Sequence, residues 1–216
     1  MREKKLGLKS CFLLVGVLFF TFSAVRADAV SNAQMKNLTA DEMSALALKD
    51  SMYYHFDEWF SRFRGEINRL ESAVPSLENR VELMKFHFNY AGLLGELCHT
   101  LAFTSKYQDD KIAEKFLYHS RQVKDLAHDV LDDDSVTESQ EAQANLFLGA
   151  SEGYIGIFEY GQGNLIEALI NGFQADNHLE RALLLNPKLV DAYFGLGMYR
   201  YGNSRLGGIG NLIMQG

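Results

Sequence analysis

The chain has 216 residues, 47% of them hydrophobic and 23% charged, and a formal net charge of −7. That length suffices for one domain with a sizeable core. The acidic balance argues against nucleic acid or an anionic membrane surface as partner, because no basic stripe is present to displace phosphate counterions.

Residues 1–27 read as an export signal. Arg2, Lys4, Lys5 and Lys9 form a basic start, Cys11 to Phe22 an apolar run, and Val25-Arg-Ala27 or Ala27-Asp-Ala29 a small-residue cleavage site. The apolar run is shorter than the roughly 20 residues a helix needs to span a bilayer; a retained N-terminal anchor is the alternative. Cys11 stands at the start of the run rather than after it, so no lipid-attachment signal is present. Removing residues 1–27 takes away five bases (Arg2, Lys4, Lys5, Lys9, Arg26) and one acid (Glu3), which brings the net charge to −11. Cys98 is then the sole cysteine, which excludes an intramolecular disulfide, and its apolar helical surroundings suit a small packing residue.

Residues 28–40 are small and polar and read as a linker. Thr39-Ala-Asp-Glu42 has the form of a capping box, with the threonine hydroxyl and the glutamate carboxylate each satisfying a free backbone N–H. A long helix is expected from there, with Phe56, Phe60, Phe63, Ile67, Leu70 and Val74 in one stripe at spacings of three and four, widened by Met52 and Trp59. Pro75 and Ser76 separate it from a helix over about 77–104, which places Met84, Phe88, Ala91, Leu94, Cys98 and Leu101 inward. A polar turn near Lys106–Asp110 leads to a helix over about 110–131 with Ile112, Phe116, Val123, Leu126, Ala127 and Val130 facing the core. After the acidic loop from Asp132, Thr137 and Gln140 offer a second capping box. Helices over about 138–160 and 164–186 then form a hairpin that turns at Gly161-Gln-Gly163. A final helix is expected to break after Tyr201, where the run Gly202-Asn-Ser-Arg-Leu-Gly-Gly-Ile-Gly210 follows.

The two prolines, Pro75 and Pro187, both fall at expected helix ends, and no segment alternates as a strand does, so the fold class is all-α. Thirteen of the eighteen glycines lie from Gly149 onward, several inside expected helices. A glycine there costs about 1 kcal/mol against alanine and therefore implies a packing reason. Leu-Gly pairs recur at Leu94-Gly95, Leu148-Gly149 and Leu196-Gly197. Around the last of them, Ala182, Pro187, Tyr193, Leu196 and Gly197 fall at the offsets of a junction between two tetratricopeptide repeats, in which a small residue closes helix B, a proline ends the unit and an aromatic precedes a Leu-Gly pair.

On these residues the chain resembles exported bacterial tetratricopeptide-repeat proteins, over about 80–201 and most specifically over 175–201. Gly95 to Asp132 spans 37 residues and Gly149 to Pro187 spans 38, against about 24 in the 34-residue repeat. The surplus implies a long-helix variant, each helix about 10 Å longer at 1.5 Å per residue. Two positions depart from the pattern: Arg200 stands where a tyrosine is usual, between Tyr199 and Tyr201, and Lys124 where an apolar residue is usual. The resemblance implies stacked antiparallel helix hairpins over residues 41–216, with Gly149 and Gly197 at helix contacts. The last unit has no second helix and the array no polar terminal cap, so the chain reads as a C-terminally truncated fragment.

The sharpest chemical candidate is a pair of acid-x-x-His motifs, Glu96-Leu-Cys-His99 and Asp125-Leu-Ala-His128. Such motifs on two helices, joined by a glutamate from each of two others, hold two metals in carboxylate bundles, and Glu66 and Glu152 are the nominees for the bridging pair. One motif carries aspartate, and helices of this composition produce the spacing by chance, so partial-core or surface histidines are the simpler account. Gly202-Asn-Ser-Arg-Leu-Gly-Gly208 lacks the Lys-Ser/Thr and the preceding strand of a phosphate loop. Asp132-Asp-Asp134 lacks the glycine and distal glutamate of a calcium loop, and Cys98 and His99 are neighbours that point apart on a helix. Asn37-Leu-Thr39 is a glycosylation sequon, relevant in a eukaryotic secretory pathway. The tyrosines and Trp59 read first as core residues.

The reading that follows is a non-enzymatic periplasmic or secreted scaffold that binds a protein or peptide, with no catalytic residue, no cofactor, no nucleic acid and no stable membrane insertion after the signal is removed. Two alternatives stand beside it. One is a periplasmic ligand-holding component associated with a transport system; the other is a di-metal enzyme built on Glu96/His99 and Asp125/His128.

Overall fold

A computed structural model describes residues 39–40, 42–43, 56–98 and 110–205, apart from the side chains at 56, 96–98 and 202–205. The expected signal, most of the linker, the first part of the first long helix, His99 and the turn before Asp110 lie outside the described residues. Those described form six helices and no strand: α1 Phe56–Glu71, α2 Leu77–Cys98, α3 Asp110–Leu131, α4 Glu138–Gln162, α5 Leu165–Leu185 and α6 Val190–Arg205. The protein is all-α.

The helix ends follow local chemistry. Thr39 and Glu42 make the expected capping box, with Thr39 N–H donating to Glu42 Oε2 at 2.9 Å and Glu42 N–H to Thr39 Oγ1 at 3.3 Å. The turn they open is tied to α2, because Ala40 N–H donates to Glu82 and the Ala40 carbonyl accepts from Asn89 Nδ2. Ser76 accepts from Asn79 N–H at the start of α2. Thr137 and Gln140 form the second reciprocal box at the start of α4. Helix α4 stops at Gly163, whose φ of 85° is a left-handed conformation that glycine adopts without a Cβ clash. The α5–α6 connection runs through Asn186 and Pro187, where the missing proline N–H and fixed φ prevent the helix from continuing.

Each consecutive pair of helices packs antiparallel. Phe63 of α1 meets Phe86 and Tyr90 of α2, and Arg80 and His87 of α2 meet Asp133, just beyond α3, and His119 within it. In the next pair Phe116 of α3 meets Phe158 of α4 and Ser151 donates to the Ser120 carbonyl. Glu141 and Asn145 of α4 meet Arg181 and His178 of α5. Besides these pairs, α2 touches α4 and α4 touches α6. Phe88 makes the first of those contacts, its ring 5.3 Å from that of Tyr154 and 5.1 Å from that of Phe147. A main core runs from α1 to α4, and a smaller cluster of Leu146, Leu179, Ala182, Ala192 and Leu196 joins α4, α5 and α6.

The expected stripes are buried at Trp59, Phe63, Ile67 and Leu70, at Met84, Phe88, Ala91 and Leu94, and at Phe116, Val123, Ala127 and Val130. Three expectations need correction. Val74 is 82% exposed, because α1 ends at Glu71 and the three-and-four spacing has no meaning beyond it. Helix α6 does not break at Gly202 but continues to Arg205; one glycine costs less than this helix gains by extending. Gly197 is exposed and a Cβ built there would meet nothing within 4 Å. The close approach to α5 occurs at Gly195 instead, two residues earlier and so on another side of the helix, where a Cβ would lie 2.8 Å from Leu179 Cδ1.

Candidate functional site

Long helices that are buried on several sides have little room for polar side chains, so those that are buried there locate the chemistry. Two such centres stand out. The first lies between α2 and α3, where His87 and His119 face each other with their Nδ1 atoms 2.8 Å apart. Such a contact holds one hydrogen: one ring donates from Nδ1 and the other accepts. Tyr90 packs 4.2 Å from the His119 ring, and Tyr118 lies edge-on to both imidazoles. Burial lowers His87 to a pKa of about 4, and burial together with the nearby His87 and Lys115 lowers His119 to about 3. Both rings are therefore neutral at pH 7. His87 Nε2 is buried without a hydrogen-bond partner, an orphan whose desolvation disfavours charge on this ring.

The second centre lies where α3, α4 and α5 meet. Glu152 of α4 is 2% exposed, and its Oε1 is 3.3 Å from Lys124 Nζ of α3. Its Oε2 is buried without a hydrogen bond and sits 3.9 Å from His178 Nε2 of α5. His178 Nδ1 is 3.0 Å from Asn145 Oδ1, while Asn145 Nδ2 donates to the Glu141 carbonyl at 2.9 Å. That second bond fixes the amide orientation and leaves Asn145 Oδ1 as an acceptor, so the hydrogen of a neutral His178 is on Nδ1 and its lone pair is on Nε2. Burial raises Glu152 to a pKa of about 7, opposed by the Lys124 ammonium. His178 is lowered by burial, and further by His128 and Lys124.

A third polar seam joins α5 to α6. Arg200 pairs with Glu180 and lies 3.4 Å from Asp176 Oδ1; burial raises the Asp176 pKa and Arg200 opposes the shift. The arginine that departs from the repeat pattern thus works as an interhelical tie. Beside it, the ring of Tyr199 lies where a Cβ on Gly172 would come within 2.6 Å.

The repeat-signature residues do not converge on one site. Leu94 and Gly95 are buried in α2, and Leu148 and Gly149 in α4. Gly149 brings α4 against α5, with its Cβ position 2.9 Å from Leu179 Cγ and 3.0 Å from the Ala175 carbonyl oxygen. Ala182 and Leu196 are buried in the smaller cluster, Pro187 lies in the connection, and Tyr193 is exposed on α6. Lys124, the other departure from the pattern, is the cation that faces Glu152.

The di-metal arrangement is not assembled by its described members. Glu66 pairs with Arg69 on its own helix at 2.7 Å, Asp125 and His128 are exposed on α3, and Glu152 is engaged by Lys124. Among the described residues no group of three or more His, Cys, Asp or Glu is placed to hold a metal. The side chains of Glu96 and Cys98, and all of His99, are outside the described residues. No described helix is long and apolar enough to cross a membrane.

Reading by sequence missed His87, His119 and His178, and it named Glu152 for another purpose. Compared with protein-family models, with curated proteins and with solved structures, the chain matches none.

Proposed function

We propose that the chain is an exported, non-enzymatic helical-repeat scaffold of tetratricopeptide-like design, whose role is to hold a protein or peptide partner. The observation that carries this reading is the order of helix contacts. Each helix packs on the next, and α2, α4 and α6 also touch in series. Stacked two-helix units produce this pattern, since each unit buries its apolar face only against its neighbours. The glycine positions support it too, because Gly149 sits where the backbone of α5 comes too close for a larger residue, while Tyr199 and Leu179 side chains of a neighbouring helix fill the space beside Gly172 and Gly195. Ile166 and Ile170 on α5 and Val190 and Tyr193 on α6 remain exposed and offer apolar anchors of the kind a peptide partner uses.

Peptide display against the purified chain tests the proposal. The expected result is a recurring peptide motif whose affinity drops at least tenfold on Ile166→Ser or Tyr193→Ser while the circular dichroism spectrum is unchanged. The absence of any enriched motif, or binding indifferent to surface substitutions on all helices, overturns it.

A further inference from the structure

The junction of α3, α4 and α5 carries an inference independent of the scaffold reading. We propose that Glu152 and His178 form a one-proton latch across the α4–α5 hairpin, open when two acceptors face each other and closed when a single proton joins them by a hydrogen bond. In the unprotonated state Glu152 Oε2 and the lone pair on His178 Nε2 confront each other at 3.9 Å, too far for a hydrogen bond. The bond from His178 Nδ1 to Asn145 holds the imidazole in the tautomer that presents that lone pair. One proton from solvent, placed on either atom, gives Oε2–H···Nε2 or its charge-separated form Oε2⁻···H–Nε2⁺. No other group need change its protonation. The His178 side chain is 29% exposed, so the proton has a route that does not open the core.

The charged and titratable groups around the pair set the pH at which this occurs. From α3, Lys124 lies against Glu152 Oε1, and His128 and Lys124 both disfavour a charged His178. From α4, Glu141 is engaged by Arg181 of α5 at 2.7 Å. The α2 contact with α4 is aromatic, Phe88 on Phe147 and Tyr154, and the α6 contact is aliphatic, through Leu146. The balance between burial and the Lys124 ammonium puts the uptake by Glu152 near pH 7 rather than in the ordinary carboxylate range. An unfolded chain releases this proton above about pH 4.5, so neutralising the buried Glu152 carboxyl contributes stability that is lost as pH rises from about 4.5 to 7. His178 is next to Leu179, the residue seated against Gly149. A closed latch therefore tightens the Gly149–Leu179 contact between α4 and α5.

Carbon-13 NMR titration of the full chain between pH 4 and 9 is the test. The Glu152 carboxyl is expected to titrate with a midpoint near 7, and the His178 ring signal to shift at the same midpoint. In Glu152→Gln that shared transition disappears from His178. In the wild type, hydrogen exchange of α5 amides around His178, corrected for intrinsic pH dependence, is expected to be roughly three- to tenfold slower at pH 6 than at pH 8, the worth of one net hydrogen bond. A Glu152 midpoint below 5, or a His178 titration unmoved by Glu152→Gln, overturns the proposal. Should the variant fail to fold, the wild-type Glu152 midpoint and exchange ratio decide alone.

Discussion

The same substitution at two Leu-Gly pairs should act with opposite sign. Alanine is favoured over glycine in a helix interior by about 1 kcal/mol. At Gly197 nothing lies within 4 Å of the added Cβ, so Gly197→Ala is expected to stabilise by about 0.5–1 kcal/mol. At Gly149 the new Cβ would lie 2.9 Å from Leu179 Cγ, 3.0 Å from the Ala175 carbonyl oxygen and 3.1 Å from the Leu179 nitrogen, whereas carbon contacts settle at about 3.5–4.0 Å. Two of those three atoms are backbone and the third is near the root of its side chain, so relief requires α5 to move off α4. Overpacking of this kind costs about 1–3 kcal/mol, which outweighs the helix term and leaves Gly149→Ala destabilised by up to about 2 kcal/mol. The two variants should therefore differ by about 1–3 kcal/mol in urea unfolding, with unchanged m-values. Shifts of the same sign and similar size would refute the assignment of Gly149, and not Gly197, to a helix contact.

Acid should destabilise the protein through the α2–α3 imidazole pair. His87 and His119 are held at pKa values of about 4 and 3, below the ordinary imidazole value of 6.5, so the unfolded chain binds more protons below pH 6.5 and stability falls with pH from there. Each ring contributes a slope of up to about 1.4 kcal/mol per pH unit. Glu152 acts with the opposite sign in an overlapping window, so urea unfolding between pH 7 and 5 is best measured in Glu152→Gln; a flat profile there would rule the pair out as a buried neutral unit. Thr137→Ala removes the hydroxyl half of the α4 capping box, leaving the backbone N–H bond to Gln140, and should cost about 1 kcal/mol, with thermal unfolding as the check and an unchanged midpoint as the contrary result. Expressed in a bacterium with a standard export pathway, the chain is expected to lose its first 27 or 29 residues, as read by intact mass, and a chain still beginning at Met1 would favour the retained anchor.

Much of the helical layout is legible in the sequence because its boundaries are written in residues with one physical role each. Pro75 and Ser76, Thr137 and Gln140, Gly163, and Pro187 place the C-terminal ends of α1, α4 and α5 and the starts of α2, α4 and α5 within a few residues. Sidedness is less legible in the central helices. Periodicity exposes one apolar face of α2, that of Met84, Phe88, Ala91 and Leu94, yet Phe86, His87, Asn89, Tyr90 and Leu93 are buried as well, since α1, α3 and α4 all pack on it. A helix covered on several sides has no polar face to contrast with, and its histidine then looks like any polar residue in the stripe. The α3–α5 junction left a trace in Lys124, a cation in an apolar register, but its counterpart Glu152 is 28 residues away in sequence, and no local rule pairs them. The identical Leu-Gly pairs of α4 and α6 show the same limit, as only the position of α5 distinguishes them.

The two clusters of unequal size have a consequence for how the chain is made. The larger one is complete once α1 to α4 are available, while the smaller needs Leu179 and Ala182 of α5 together with Ala192 and Leu196 of α6. A polypeptide that emerges N-terminus first, from a ribosome or an export channel, presents the segments of the larger cluster before those of the smaller. Helix α4 then displays Leu146 and the Gly149 notch to solvent until α5 arrives, so for that interval the nascent protein offers a vacant helix-binding seat that its own next segment is shaped to fill.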